Sequence, residues 1–131
     1  MESISSHQQL YFPSETELAF HNLRNRLLRE GDSITRRVDA VLGFRVIDCR
    51  GGYIECWLID LRQGRRVVRR ANGEKTDIIF HISENDLMEL FTGRQQPQKL
   101  LLTRRLRISG TKSLQNKIQY LIPDKRRKSR L

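Results

Sequence analysis

The chain has 131 residues, of which 37% are hydrophobic and 31% charged, with a formal charge of +10. That length suits one domain with its own core, so no disulfide or metal staple is required. No apolar run approaches the roughly 18–20 residues of a membrane span. The opening "MESISSHQQL" has neither the basic start nor the apolar stretch of a secretory signal.

Residues 1–13 are polar, end at Pro13 and show no sustained period, which predicts a mobile arm. In "SETELAFHNLRNRLLRE", Ser14 and Glu17 have capping-box spacing. Thr16, Phe20, Leu23 and Leu27 share a helical face that Leu28 widens, and Gly31 predicts the stop. Asp32 is placed to cap a second short helix carrying Ile34, Val38 and Val41 on one side.

The period then becomes two. "LGFRVIDC" puts Leu42, Phe44 and Val46 on one face, and "RGGY" turns the chain. "YIECWLIDL" aligns Trp57, Ile59 and Leu61, "RQGR" turns again, and "RRVVRR" predicts a short strand crowded with Arg65, Arg66, Arg69 and Arg70. Cys49 and Cys56 flank the first hairpin and read as reduced strand residues.

After the polar loop "RANGEKTD", the strand "DIIFHIS" points Ile78, Phe80 and Ile82 one way and His81 the other. "SENDLMELFTG" predicts a helix capped by Ser83, striped by Leu87, Leu90 and Phe91, and ended by Gly93. "QQPQKLLLT" predicts a short helix opening near Pro97. "RRLRIS" alternates basic residues with Leu106 and Ile108, and Gly110 turns the chain. "SLQNKIQYLI" predicts a last amphipathic helix with Leu114, Ile118 and Leu121 facing in, before Pro123 and the tail "DKRRKSRL". This order predicts an α+β domain, one sheet with helices mostly on one side.

The chemistry of catalysis is not indicated. His7, His21 and His81 have no zinc-binding spacing, and there is no CxxC, GxSxG, GxxxxGK[ST] or GxGxxG motif. Glu84, Asp86 and Glu89 cluster at a helix start, where the helix dipole is reason enough for them. No enzyme activity, cofactor or metal is therefore expected.

Across "DIIFHISENDLMELFTGRQQPQKLLLTRRLRISGTKSLQNKIQYL", an aspartate-led strand passes into a helix ending at Thr92–Gly93. Pro97–Gln98 follows after three residues, then a basic-apolar strand ending at Gly110 and an amphipathic helix. The set resembles the sterol carrier protein type 2 domain family, the nonspecific lipid-transfer fold. The match runs back through "ECWLIDLRQG" and "LGFRVIDC" to the first helix. The resemblance implies an arm (1–13), a lipid-binding domain (14–122) and a basic tail (123–131). It implies a five-stranded mixed sheet covered on one face by helices and enclosing an apolar tunnel. Fatty acids, fatty acyl-CoA or sterols are bound and transferred there without catalysis.

The lining that the resemblance implies is Phe44, Val46, Trp57, Ile59, Ile78, Phe80, Leu90, Phe91, Ile108, Leu114, Ile118 and Leu121. Leu101, Leu102 and Thr103 join it, where the family usually has aromatics and, ending at Arg104, a Gln-Gly. Each buried methylene is worth about 0.8 kcal/mol, so a 16-carbon chain gains roughly 10 kcal/mol gross. Association costs remove several of these. Such binding is expected to be promiscuous in headgroup. The final helix either closes the tunnel or serves as a lid.

The last three residues, Ser129, Arg130 and Leu131, match the small-basic-leucine form of the peroxisomal address, with Arg for Lys. Members of the family often carry this signal. A peroxisomal location, with room for a cytosolic pool, and an import receptor as partner are therefore expected. The arginines of residues 62–70 read as edge-strand charges, as a transient anionic-membrane contact, or as ligands for CoA phosphates. A monomer is expected. Two rivals stay open. One is a nucleic-acid-binding protein using "KRRK" and the arginine strand, although no recognition helix, stacking aromatics or zinc module supports it. The other is an adaptor or chaperone domain with a collapsed cavity.

Overall fold

The computed structural model describes residues 12–48 and 52–123. Ser14 is extended, and its side-chain oxygen accepts from the backbone N–H of Glu17, which opens α1 (Glu15–Glu30). The predicted stripe of Thr16, Phe20, Leu23 and Leu27, with Ala19, is the buried side of α1. Gly31 joins α1 to α2 (Asp32–Val38) and is itself the N-cap of α2, so the cap lies one residue before the expected Asp32. A Cβ at Gly31 would fall 2.2 Å from the Leu27 carbonyl oxygen, so glycine is what lets the two helices abut. The Asp32 carboxylate is engaged by Arg66 instead.

The strands are β1 (Val41–Ile47), β2 (Ile54–Asp60), β3 (Val67–Arg70), β4 (Ile78–Ser83) and β5 (Leu106–Gly110). Their order across the sheet is β3-β2-β1-β4-β5. Only β1 and β4 run parallel; every other neighbouring pair is antiparallel. This is the mixed five-stranded sheet that the sequence led us to expect. Helices α3 (Glu84–Phe91) and α4 (Pro97–Leu102) join α1 and α2.

To lay β4 beside β1, the chain must leave the β3 edge and pass over β2 and β1. Residues 71–77 make that crossing on the side of the sheet away from the helices. The Ala71 N–H donates to the Cys56 carbonyl at 2.8 Å, and the Asp77 N–H to the Val41 carbonyl at 2.9 Å. The Asp77 carboxylate in turn accepts from the Val41 N–H at 2.8 Å. Gly43 makes room for the crossing, since a Cβ there would lie 3.1 Å from the Thr76 hydroxyl oxygen. Leu58, opposite Gly43 on β2, is buried although its face is not the core face.

The closing segment, Lys112–Leu121, where an amphipathic helix was expected, is a 3-10 helix. Such runs rarely exceed three or four residues. Here Ile118 and Leu121, three residues apart, fall on one line and enter the core. Arg26 donates to the Leu121 carbonyl and Lys117 to the Arg37 carbonyl, which ties the segment to α1 and α2.

Every arginine of the predicted basic strand has a carboxylate partner. Arg62 and Arg65 lie 2.9 and 3.4 Å from Asp60, Arg69 lies 2.7 Å from Glu74, and Arg66 pairs with Asp32. Arg70 reaches both Glu17 and Glu55 at 3.1 Å. β3 is thus an edge strand whose charges are neutralised in place, which limits sheet-to-sheet pairing. The Arg62 side-chain bond, opposed by partial burial and aided by the Arg62 N–H, holds the Asp60 carboxyl down to about 2.

Gly110 has φ +93°, and a Cβ there would fall 2.9 Å from the Asp77 carbonyl oxygen. Gly110→Ala should cost on the order of 1–3 kcal/mol in urea unfolding, because it strains the register of β5 against β4. The depressed Asp60 pKa contributes stability that is complete above the ordinary value of 3.8 and is lost as pH falls through about 2. In unfolding titrations, Asp60→Asn should lower stability at pH 7 and show a smaller further loss between pH 4 and 2 than the parent.

Candidate functional site

Alternation sends one face of the sheet toward the helices. On it, register sets Phe44 beside Trp57 on β2 and Phe80 on β4, and Phe80 beside Ile108 on β5. Phe20 descends from α1 onto this row. Its ring stacks on Trp57 at 4.8 Å and meets Phe44 and Phe91 edge-on at 5.4 and 5.3 Å. Phe44 touches Phe80 at 5.2 Å and Phe91 at 5.8 Å. Five rings from α1, β1, β2, β4 and α3 therefore form one contact network between sheet and helices. Such ring pairs add about 0.5–1.5 kcal/mol each beyond their burial.

The residues expected to line an apolar site fall largely into this layer. Phe44, Val46, Trp57, Ile59, Ile78, Phe80, Leu90, Ile118 and Leu121 are buried in one cluster. Phe91, Leu101, Ile108 and Leu114 are partly buried against it. Leu102 and Thr103 are placed elsewhere. Leu102 is 84% exposed, because the short α4 turns Pro97, Leu100 and Leu101 inward and leaves the next position outside. The Thr103 hydroxyl is spent closing α4, donating to the Lys99 carbonyl at 2.9 Å. Phe20, at the centre of the network, was legible as a helix-stripe residue but not as a site residue. Its spacing gives the face and not its depth.

A polar seam bounds the layer at the start of α1. The Trp57 indole N–H donates to Glu55 at 3.2 Å, and the Ser14 hydroxyl donates to the same carboxylate at 2.7 Å. Arg70 completes this cluster and lies over the Trp57 ring, 5.1 Å from its centre. Glu84 accepts from both the backbone N–H and the hydroxyl of Thr16, at 3.1 and 2.6 Å, and so pins α1 to α3. Both carboxylates sit where the α1 dipole favours negative charge.

Among the described residues, two depressions flank the layer. A groove of about 460 Å³ is lined by Glu15, Asn85, Asp86, Met88, Glu89, Thr92, Arg94 and Arg105. It is polar, and its arginines pair with Glu89 and Asp86. A cleft of about 10 Å³ separates α4 from the final 3-10 helix, between Pro97, Leu101, Gln115 and Ile118. That is room for one water at most, yet it marks the seam where the two elements covering this end of the layer meet.

His81 lies on the opposite face of the sheet, its Nε2 2.8 Å from the Ser109 hydroxyl oxygen. Burial, and then the charges of Arg45 and Arg107, push its pKa down. Cys56 is a free, exposed thiol; Cys49 lies outside the described residues. Among the described residues no group of three or more His, Cys, Asp or Glu is arranged to hold a metal ion. Ser129, Arg130 and Leu131 lie outside the described residues.

A family model described as the SCP-2 sterol transfer family matches residues 20–122, from Phe20 to the end of the 3-10 segment. Sterol carrier protein 2 of Oryctolagus cuniculus is 29% identical over 107 residues, 82% of this chain and 20% of that protein. The chain thus spans about a fifth of the length of that relative. The apo structure of sterol carrier protein 2 from Yarrowia lipolytica superposes with a TM-score of 0.71 at 21% identity, covering 86% of this chain and 93% of that one. The Aedes aegypti sterol carrier protein-2 in complex with the C16 fatty acid palmitate superposes with a TM-score of 0.64 at 16% identity, covering 82% and 94%. At these identities the structural likeness is one of fold.

Proposed function

The chain belongs to the SCP-2 sterol transfer family, and on that premise we propose that it is a non-catalytic carrier that takes up fatty acids, fatty acyl-CoA or sterols and passes them between membranes. One observation carries the reading: the family match spans the whole apolar layer, from Phe20 on α1 to Leu121 in the closing segment. The ligand lies between the sheet and the helices, against Phe44, Trp57, Phe80 and Ile108. Phe20 and Phe91 hold that volume, so a lipid tail gains access by turning these two rings aside. The opening is at the α4 seam, where Leu101 and Ile118, both packed on the core, line the small cleft beside the closing 3-10 helix. Affinity comes from methylenes leaving water, about 0.8 kcal/mol each, less the cost of displacing the rings.

The five-ring network favours a second reading: a domain whose apolar layer stays shut and whose role is contact with other proteins. The nucleic-acid reading loses one of its two supports, because the arginines of residues 62–70 are occupied by carboxylates. Displacement of a fluorescent fatty acid by palmitate, palmitoyl-CoA and cholesterol separates the first two readings. The carrier reading expects saturable binding with Kd on the order of micromolar, lost in Phe91→Asp while the far-UV circular dichroism is kept. No saturable binding of any of the three would favour the closed domain.

The tripeptide Ser129-Arg130-Leu131 is the address that an import receptor reads, supported by its small-basic-leucine form and the basic residues before it. The full chain with a fluorescent protein at its N-terminus should co-localise with a peroxisomal marker in cells. Deleting Leu131 should disperse it into the cytosol, and an unchanged punctate pattern would reject the address.

A further inference from the structure

The two edges of the sheet, β3 and β5, are finished differently. The arginines of β3 are matched to carboxylates, and β5 has no such cover. Its backbone directions follow from its pairing. The Thr111 N–H donates to the Asp77 carbonyl at 2.9 Å. From there β5 runs antiparallel to β4, with Ile79 opposite Ser109 and His81 opposite Arg107. Hydrogen-bonded and non-hydrogen-bonded pairs alternate along such a ladder. Ser109 and Arg107 therefore turn their N–H and C=O toward β4, and Ile108 and Gly110 turn theirs away from the sheet. Among the described residues nothing hydrogen-bonds to these outward groups of Ile108 and Gly110. Leu106 points its groups the same way but is only 1% exposed. The open stretch is thus residues 107–110, where Arg107 and Gly110 are exposed and Ile108 and Ser109 half-buried.

The side chains of this stretch say what fits beside it. Arg107 stands on the helix-free face and ends a row that starts at Arg45 on β1 and passes through His81 on β4. It has no carboxylate partner among the described residues. Like charges directly opposite one another destabilise a sheet, and opposite charges stabilise it. Ile108 points the other way and packs against the core cluster. A strand laid along β5 is favoured by an acidic residue beside Arg107 and an apolar residue beside Ile108, which is the period-two alternation a strand supplies. A second copy of this chain fits poorly. Pairing β5 with itself about Ile108 sets Arg107 opposite Ser109 and brings together two chains that each carry a charge of +10. A small anion or a nucleic acid would meet Arg107 and leave the ladder groups of Ile108 and Gly110 without strand partners.

We propose that the β5 edge at residues 107–110 is a docking site for an extended segment of another protein in which acidic and apolar residues alternate. The segment adds as a sixth strand to the five-stranded sheet, bonded through its backbone to Ile108 and Gly110 and placing a carboxylate beside Arg107. The edge is open whether or not the apolar layer holds a lipid. The assay below contains none, so its outcome is separate from that of the carrier function.

The test is fluorescence anisotropy of a labelled short peptide alternating valine and glutamate, titrated with the full chain, against the matching valine–lysine peptide. The glutamate peptide should show a saturable rise and the lysine peptide none. Arg107→Glu should weaken the glutamate peptide about tenfold and allow the lysine peptide to bind. Arg69→Gln, on the opposite edge, should change the affinity by less than about twofold. N-methylating one alternate set of the peptide's backbone nitrogens should abolish binding, and methylating the other set should spare it, because only one set faces β5. In the complex, the Ile108 and Gly110 amide hydrogens should exchange more slowly by NMR. Arg107 is on the surface, and unchanged thermal unfolding would show that the variant folds. No saturable binding, equal binding of the two peptides, an unchanged affinity in Arg107→Glu, or equal loss from the two methylation patterns overturns the proposal. A concentration-dependent dimer of the chain that the glutamate peptide dissociates would overturn it in favour of a second copy.

Discussion

The stacking of Phe20 on Trp57 is the contact on which the rest of the molecule depends. Phe20 belongs to α1 and Trp57 to β2, and the same Phe20 ring meets Phe44 on β1 and Phe91 on α3. One side chain therefore sets the distance between two helices and two strands. Around it, Trp57 keeps its indole N–H bonded to Glu55, so a large apolar body reaches the centre of the layer with its one polar atom satisfied. The Glu55 and Glu84 contacts then hold the start of α1 against the sheet and α3. On the carrier reading, Phe20 is a gate as well as a keystone: its ring occupies part of the space that a lipid tail would enter.

Charge is allotted differently on the two sides of the sheet. The edge at β3 carries the densest run of arginines, and each is matched to a carboxylate, so the edge is blunted without becoming a field for anions. A row with no carboxylate partner among the described residues runs from the interior strands at Arg45 and His81 to the β5 edge at Arg107. Net charge alone would have pointed to β3. The positions of the carboxylates, and not the number of arginines, decide where the surface attracts an anion.

Much of the architecture was legible in the sequence because it is written in short-range periods. Leu42, Phe44 and Val46, and Ile78, Phe80 and Ile82, alternate as half-buried strands must, and the Ser14 and Ser83 caps each receive a backbone N–H three residues on. What escaped depends on contacts between distant residues. The partners of Arg66 and Arg70 lie 34 and 53 residues away at Asp32 and Glu17, so pairing could not be read from the arginine run. The row of Arg45, His81 and Arg107 exists only because β4 lies parallel to β1 in one register. Leu102 sat in an apolar run of three leucines, and only the orientation of α4 shows that it turns outward. Spacing of three and four fits both kinds of helix, so Leu114, Ile118 and Leu121 did not distinguish a 3-10 segment from an α-helix.

The central claim is that the layer closed by Phe20 and Phe91 opens to hold a lipid. The most direct measurement is a palmitate titration of the isotope-labelled chain followed by NMR, reading the Trp57 indole N–H and the aromatic signals of Phe20, Phe44 and Phe91. The account predicts that these shift together and saturate, with further changes at Leu101 and Ile118 along the α4 seam. Shifts confined to the polar groove at Glu15, Asn85 and Arg94, with the Trp57 and Phe20 signals unmoved, would contradict it.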